Sequence, residues 1–302
     1  MNSNLIIILN DINFRKDWDV IWFNEFINML YKNIDLKYEN ITDILDENYF
    51  LTKYNILPSY IISYENLNFP NVKCKKILIT EDLHHIELDV YKNSFKNIDY
   101  ILSRFNIINN LFPDLFNDKI IYFPLYCSNI FLSNNINFES ENKITLYGNI
   151  TLLPQYIQRK TWHDFFCNNY NQIYNYINDS SHNTSLTLGK YSFGFCCGYV
   201  PELFRNNSNN CYLVAKFFEI PGKGLLLLAD INGLEKEMED AGFINMINYI
   251  SVTFENIDNI IKFLLNPENK NLINEIRING YNLIKNNHLI SNRIDTITKL
   301  IK

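Results

Sequence analysis

The first 147 residues contain no glycine, and all nine glycines of this 302-residue chain lie at or after Gly148. Glycine allows backbone to turn through positive φ and to approach a ligand closely. The search for a phosphate-bearing ligand therefore moves to the second half. The same absence removes the G-x-G-x-x-G turn that a dinucleotide-binding oxidoreductase places after its first strand. Excess positive charge is lacking too. The balance of 27 Lys and Arg against 33 Asp and Glu leaves a net charge of −6, which argues against a general nucleic-acid binder that must displace counterions. No Cys-x-x-Cys pair occurs among Cys74, Cys127, Cys167, Cys196, Cys197 and Cys211. Zinc sites and disulfide frameworks have no spacing to build on, so reduced, mostly buried thiols are expected. The opening apolar run, Leu5–Leu9, has no basic flank or cleavage site, and no stretch approaches the roughly 18 apolar residues that span a bilayer. These absences together read as a soluble, intracellular, cytoplasmic protein.

What the chain does have is core material. Hydrophobic residues make up 47% and aromatics 15%, enough for two domains of about 150 residues each. Short apolar runs at Leu5–Leu9, Ser59–Tyr64, Lys76–Thr80, Tyr100–Leu102 and Lys119–Phe123 read as buried strands. Helical spacing lies between several of them, as in the Trp18, Ile21, Trp22, Phe26, Met29, Leu30 stripe, read as core. Buried strands separated by helices predict a parallel α/β sheet. Around Ser128–Asn142 the periodicity dissolves, which predicts an interdomain linker. Alternation then restarts. Strands are expected at Lys143–Tyr147, Ser185–Leu188, Gly224–Ala229 and Ile247–Val252. Helices are expected over Gln155–Asn168, Tyr212–Glu219, Gly233–Ala241, Ile257–Leu265, Pro267–Asn286 and from Ser291. The expected domains are 1–135 and 136–302, with a ligand cleft between two α/β halves. The last helix has the option of packing back on the first domain.

Three constellations carry candidate chemistry. In Lys216–Asp230, KFFEIPGKGLLLLAD, a helix leads through glycines into a buried strand. With Asn and Ser capping it, the amides of Tyr212, Leu213 and Val214 would face an anion. Lys216 would sit near a diphosphate, and Glu219, on about the same face, could accept two hydrogen bonds from a ribose diol. The plainer reading is a surface i,i+3 ion pair. In Tyr147–Lys160, Gly148 and Asn149 end a strand where backbone can approach a ligand, and Arg159 and Lys160 line the next helix. Their plainer reading is a solvated basic pair. In Thr80–His85, TEDLHH follows a strand, and His84 or His85 could contact a sugar or act as a base. The plainer reading there is a charged loop, and no metal-ligand spacing is present.

The combination of KFFEIPGKGLLLLAD, a following acidic helix and NPENKNLINEIRINGYNLIKNNHLISNR resembles the C-terminal region of group-1, family 4-like glycosyltransferases. The nearest branch carries a spore-maturation-like group-1 domain. Gly280, His288 and Arg293 match its closing helix pattern, and Tyr156 with Arg159 matches its Tyr-x-x-Arg. The resemblance covers roughly Lys143–Ile301. It implies the GT-B architecture, two Rossmann-like domains facing a cleft, with the donor nucleotide sugar on the second and the acceptor on the first. It implies that Glu219 binds ribose and that Arg159, with Lys160 or Lys216, holds the diphosphate. Those charges would stabilise the leaving nucleoside diphosphate with no metal or other cofactor. The position eight before Glu219 is Cys211, where retaining family 4 enzymes carry glutamate, so the stereochemical outcome stays open. The expected activity is sugar transfer to a glycan, protein or small-molecule acceptor. The alternative is a catalytically idle nucleotide-sugar or carbohydrate-binding protein of the same fold. His288 and Arg293 are read as structural ties.

Overall fold

The computed structural model describes residues 5–10, 20–40, 45–64, 68–80, 95–103, 119–153, 156–179, 181–198 and 212–301. The chain divides into two compact units, Met1–Pro124 with Ile290–Lys302, and Leu125–Leu289.

The first unit is built on a six-stranded parallel sheet in the order β2-β1-β3-β4-β5-β6. Its strands are β1 (Ile6–Asn10), β2 (Leu36–Asn40), β3 (Tyr60–Tyr64), β4 (Lys75–Thr80), β5 (Tyr100–Ser103) and β6 (Ile120–Tyr122). In β1, Ile6, Ile7, Ile8 and Leu9 are all buried, as a strand covered on both faces requires. Helix α1 (Val20–Asn33) buries Phe26 and Leu30, and Phe26 meets Phe123 edge-on. The Trp18 and Trp22 side chains lie outside the described residues. Helix α2 (Glu47–Tyr54) starts where Asp46 accepts from the Tyr49 amide at 2.8 Å and stops at Asn55 in the left-handed region. The strand β2 was not expected from LKYEN, whose alternating polar residues hide a buried Glu39. That carboxylate accepts from Tyr49 at 2.6 Å, from Lys53 at 3.0 Å and from Tyr54.

The second unit holds a five-stranded parallel sheet in the order β11-β10-β9-β7-β8. Its strands are β7 (Glu141–Tyr147), β8 (Tyr174–Ile177), β9 (Tyr191–Cys197), β10 (Leu226–Asp230) and β11 (Ile250–Ser251). Its helices are α3 (Ile157–Asn169), α4 (Ser181–Leu188), α5 (Lys216–Gly222), α6 (Glu235–Asp240), α7 (Ile257–Leu265) and α8 (Lys270–Asn287). Helix α9 (Ile290–Ile301) belongs with the first unit. It buries Ile290, Ile294, Ile297 and Ile301 at helical spacing, about 1.5–3 kcal/mol for each side chain.

The structure departs from the expected boundary at 135/136. The stretch read as a linker is packed into the second unit. Phe131 is buried and stacks near Tyr147, Cys127 N donates to His288 O at 2.8 Å, and Arg277 donates to Asn137 O at 2.7 Å. Ser185–Leu188 is helical rather than a strand, because Thr184, Ser185 and Leu188 turn one buried face inward at helical spacing. Two strands, β8 and β9, were not expected. In β9 the reason is Gly194, which breaks the apolar pattern. A Cβ there would stand 2.6 Å from Ile220 Cγ2, so the glycine lets α5 lie directly on the sheet. Gly280 does the same for α8, where a Cβ would meet Asn248 O at 2.6 Å.

Candidate functional site

The second sheet reverses its strand order between β7 and β9, and open parallel sheets place ligands at the carboxyl ends of strands beside such a reversal. Tyr147 and Gly148 end β7 there, and Cys196 and Cys197 end β9. Gly148 has φ +89°, which favours glycine. It is also crowded. A Cβ on it would lie 3.0 Å from Lys216 Cε, 3.1 Å from Lys216 Nζ and 3.4 Å from Arg159 Nη1. The carbonyls around it are spoken for. Tyr176 donates its hydroxyl to Gly148 O at 2.7 Å, and Arg159 Nη1 donates to Asn149 O at 2.9 Å.

Two cations thus converge on one glycine, and among the described residues neither Arg159 nor Lys216 is ion-paired. Arg159 is buried in α3 and stacks over Tyr156 at 5.3 Å. Lys216 Nζ lies 5.0 Å from the centre of the Tyr147 ring. Burial, and after it the positive Arg159, pull the Lys216 pKa down to about 8. Glu219, one turn along α5, is 5% exposed and accepts from the Tyr147 hydroxyl. Burial pushes its pKa up, against the opposing influence of Lys216 and the tyrosine hydrogen bond. The Cys196 thiol is likewise pushed up by burial, so it stays a protonated, inert wall.

Helix α3 is pinned so that Arg159 points at this corner. Trp162 Nε1 and Gln158 Nε2 both donate to Asp230 at the end of β10, at 2.7 and 2.9 Å. The buried Trp162 also packs against Phe166 and Phe195 in the core. Gly148, Asn149, Tyr156, Arg159, Lys216 and Glu219 are brought together as the sequence suggested. Lys160 is not; it turns away and pairs with Asp164 one helical turn on. Helix α5 begins at Lys216, and of the amide cradle expected at Tyr212, Leu213 and Val214, the Leu213 amide is already taken by buried Glu237 at 3.2 Å. Burial raises that carboxyl pKa to about 7. His84 and His85 lie outside the described residues. His288 and Arg293 act within the scaffold: His288 Nε2 bonds Ala241 O at 2.8 Å between Phe218 and Phe243, and Arg293 Nε donates to Pro124 O at 2.8 Å.

Sequence reasoning missed Tyr147 and Tyr176, which hold Glu219 and Gly148. Tyr147 directly precedes the first glycine of the chain, a signal that was readable. At the opposite, amino edge of the sheet a cavity of about 260 Å³ is lined by Ser140, Asn142, Ser192, Lys270 and Arg277 among others. Arg277 is already bonded there to the carbonyls of Gly224 and Asn137, so the cation pair near Gly148 is the better candidate site.

Solved structures share this architecture. A glycosyltransferase from Rickettsia africae ESF-5 matches with a TM-score of 0.63 at 12% identity, over 100% of this chain and 98% of that one. Sucrose-phosphate synthase from Thermosynechococcus elongatus matches with a TM-score of 0.64 at 9% identity, over 98% of each chain. Anabaena HepE in complex with UDP-glucose matches with a TM-score of 0.63 at 11% identity, again over 98% of each. The chain has the GT-B fold, mixed α/β with two parallel sheets. No protein-family model matches the sequence, and no curated protein matches it. Among the described residues no helix is long and apolar enough to cross a membrane.

Proposed function

We propose that this protein is a metal-independent glycosyltransferase that moves a sugar from a nucleoside-diphosphate sugar to an acceptor. The observation that carries the reading is the unpaired cation pair, Arg159 and Lys216, converging on Gly148 at positive φ. Two positive groups held against each other in a half-buried corner cost free energy unless an anion joins them. A diphosphate supplies that anion. As the glycosidic bond breaks, negative charge grows on the leaving diphosphate, and cations already in place stabilise it without reorganising. Glu219, one turn from Lys216, takes the ribose. HepE, a neighbour in fold, has been solved with UDP and with UDP-glucose, which supports a donor of this class. His84 and His85 follow β4 in sequence, and we assign them to the acceptor side, as sugar contact or base. The free thiols Cys74, Cys167 and Cys196 fit a reducing, cytoplasmic setting.

Calorimetric titration of the full chain with UDP, GDP and dTDP tests this. One of them should bind. Arg159→Ala should weaken that diphosphate about 30-fold, the scale of a hydrogen bond to a charged group, while leaving the free nucleoside unchanged. Equal loss for both would remove Arg159 from the diphosphate, and no binding by any of the three would overturn the reading. Transfer or hydrolysis of the sugar then separates an enzyme from a binding protein of the same fold.

A further inference from the structure

The Glu219 carboxylate is held from behind. Its Oε2 accepts from the Tyr147 hydroxyl. Its Oε1 has no hydrogen bond among the described residues, and it is not one of the buried atoms sealed from the surface without a partner. Tyr147 is poorly placed to swing away. The residue is 6% exposed, its backbone is registered opposite Ile177 at the end of β7, and its ring stacks on Phe131 with the planes 18° apart. Lys216 Nζ lies over the same ring. Burial and the adjacent Glu219 charge keep the phenol protonated, so it remains a donor at every working pH.

A carboxylate that meets both hydroxyls of a ribose in a fork needs both of its oxygens. Here one of the two already accepts from a fixed group of the protein, so the lone pair it keeps is a weaker acceptor than the unshared Oε1. We propose that Tyr147 is a positioning residue that turns Glu219 so that Oε1 is the oxygen that chiefly reads the ribose. The site then recognises one ribose hydroxyl more strongly than the other. This inference rests on the donor reading above and deepens it, because it names the part of the nucleotide that sets affinity.

The test compares the tighter binder of UDP and GDP with its 2′-deoxy and 3′-deoxy forms, titrated into the full chain and into Tyr147→Phe. In the unmodified protein one deoxy form should bind about tenfold more weakly and the other within about twofold, as for one full hydrogen bond and one weakened by sharing its acceptor. Tyr147→Phe keeps the ring in the core and frees the carboxylate to rotate. The gap between the two deoxy forms should then shrink below about threefold. A tyrosine that merely supports the fold would instead weaken all three nucleotides equally and leave the gap intact. Equal losses for the two deoxy forms in the unmodified protein would overturn the inference without needing the variant. A gap that survives in Tyr147→Phe would overturn it as well. If no nucleoside diphosphate binds the unmodified protein, the donor reading itself has failed, a result distinct from either of these.

Discussion

Each unit has a buried glutamate bonded to tyrosine with a lysine nearby, Glu39 and Glu219, and the two are poised in opposite ways. Glu39 in the first unit has three donors, Tyr49, Tyr54 and Lys53, and an ion pair to Lys53 Nζ at 2.8 Å. Burial alone would push its pKa up, but those partners outweigh it and hold the carboxyl below its ordinary range. Glu219 in the second unit has one donor, and no ion pair is made with Lys216 three residues earlier. There burial wins and the pKa rises. A buried group whose needs are met ties the fold together. One left wanting is open to a partner from outside.

Four experiments bear on this contrast. The largest effect is expected in the first unit. Glu39→Gln replaces an acceptor oxygen with an NH₂ group facing other donors, and should cost about 2–4 kcal/mol of stability in urea unfolding, with nucleotide affinity unchanged. A loss of nucleotide binding in that variant would erase the distinction. Glu219→Gln should do the reverse. Nucleotide affinity should fall about 30-fold, or 2 kcal/mol, while stability stays level or rises.

The pH dependences of the two carboxylates also carry opposite signs. Glu39, depressed in the folded state, stabilises above the unfolded value of about 4.3, and that gain is lost as pH falls through its folded pKa. Glu219, raised in the folded state, binds its proton more tightly folded than unfolded. Its presence therefore erodes stability as pH rises from about 4.3 towards its folded pKa, and Glu219→Gln should abolish that erosion in melts across pH 4–7.

The smallest effect concerns Lys216. With a pKa near 8 in the free protein, it loses its proton as pH climbs, so nucleotide-diphosphate affinity should fall above that point, by about tenfold in all. Lys216→Arg keeps its charge throughout and should hold affinity flat to pH 10. A slope that persists in the arginine variant would move the titration to another group.

The sheets and the corner around Gly148 were legible to different degrees. Apolar runs such as Ile6–Leu9 and Leu226–Ala229 announce buried strands because both faces of a parallel sheet are covered. The strands that stayed hidden have local reasons. In β9 a helix presses so closely on the strand that only Gly194 fits; in β2 a polar residue is buried because its partners, twenty or fewer positions on, arrive by folding. Arg159, Lys216, Glu219 and Gly148 were readable from type and spacing. Their grip on one another was not. Which of Arg159 and Lys160 turns inward depends on Asp230 seizing Trp162 and Gln158, contacts made across about 70 positions of sequence that no local pattern encodes. The helix expected from Tyr212 starts one turn later, at Lys216, with the Leu213 amide bonded to Glu237.

The return of Ile290–Ile301 to the first unit sets an order of events during synthesis. The second unit, Leu125–Leu289, is one unbroken stretch and can fold as soon as it has emerged from the ribosome. The first unit begins earlier yet finishes later, for the helix that packs on α1 follows the whole of the second unit in the chain. The amino-terminal sheet must wait with an apolar face uncovered while the whole of its neighbour is built. A stop codon or ribosome stall after Leu289 would therefore release a finished second unit attached to an unfinished first one.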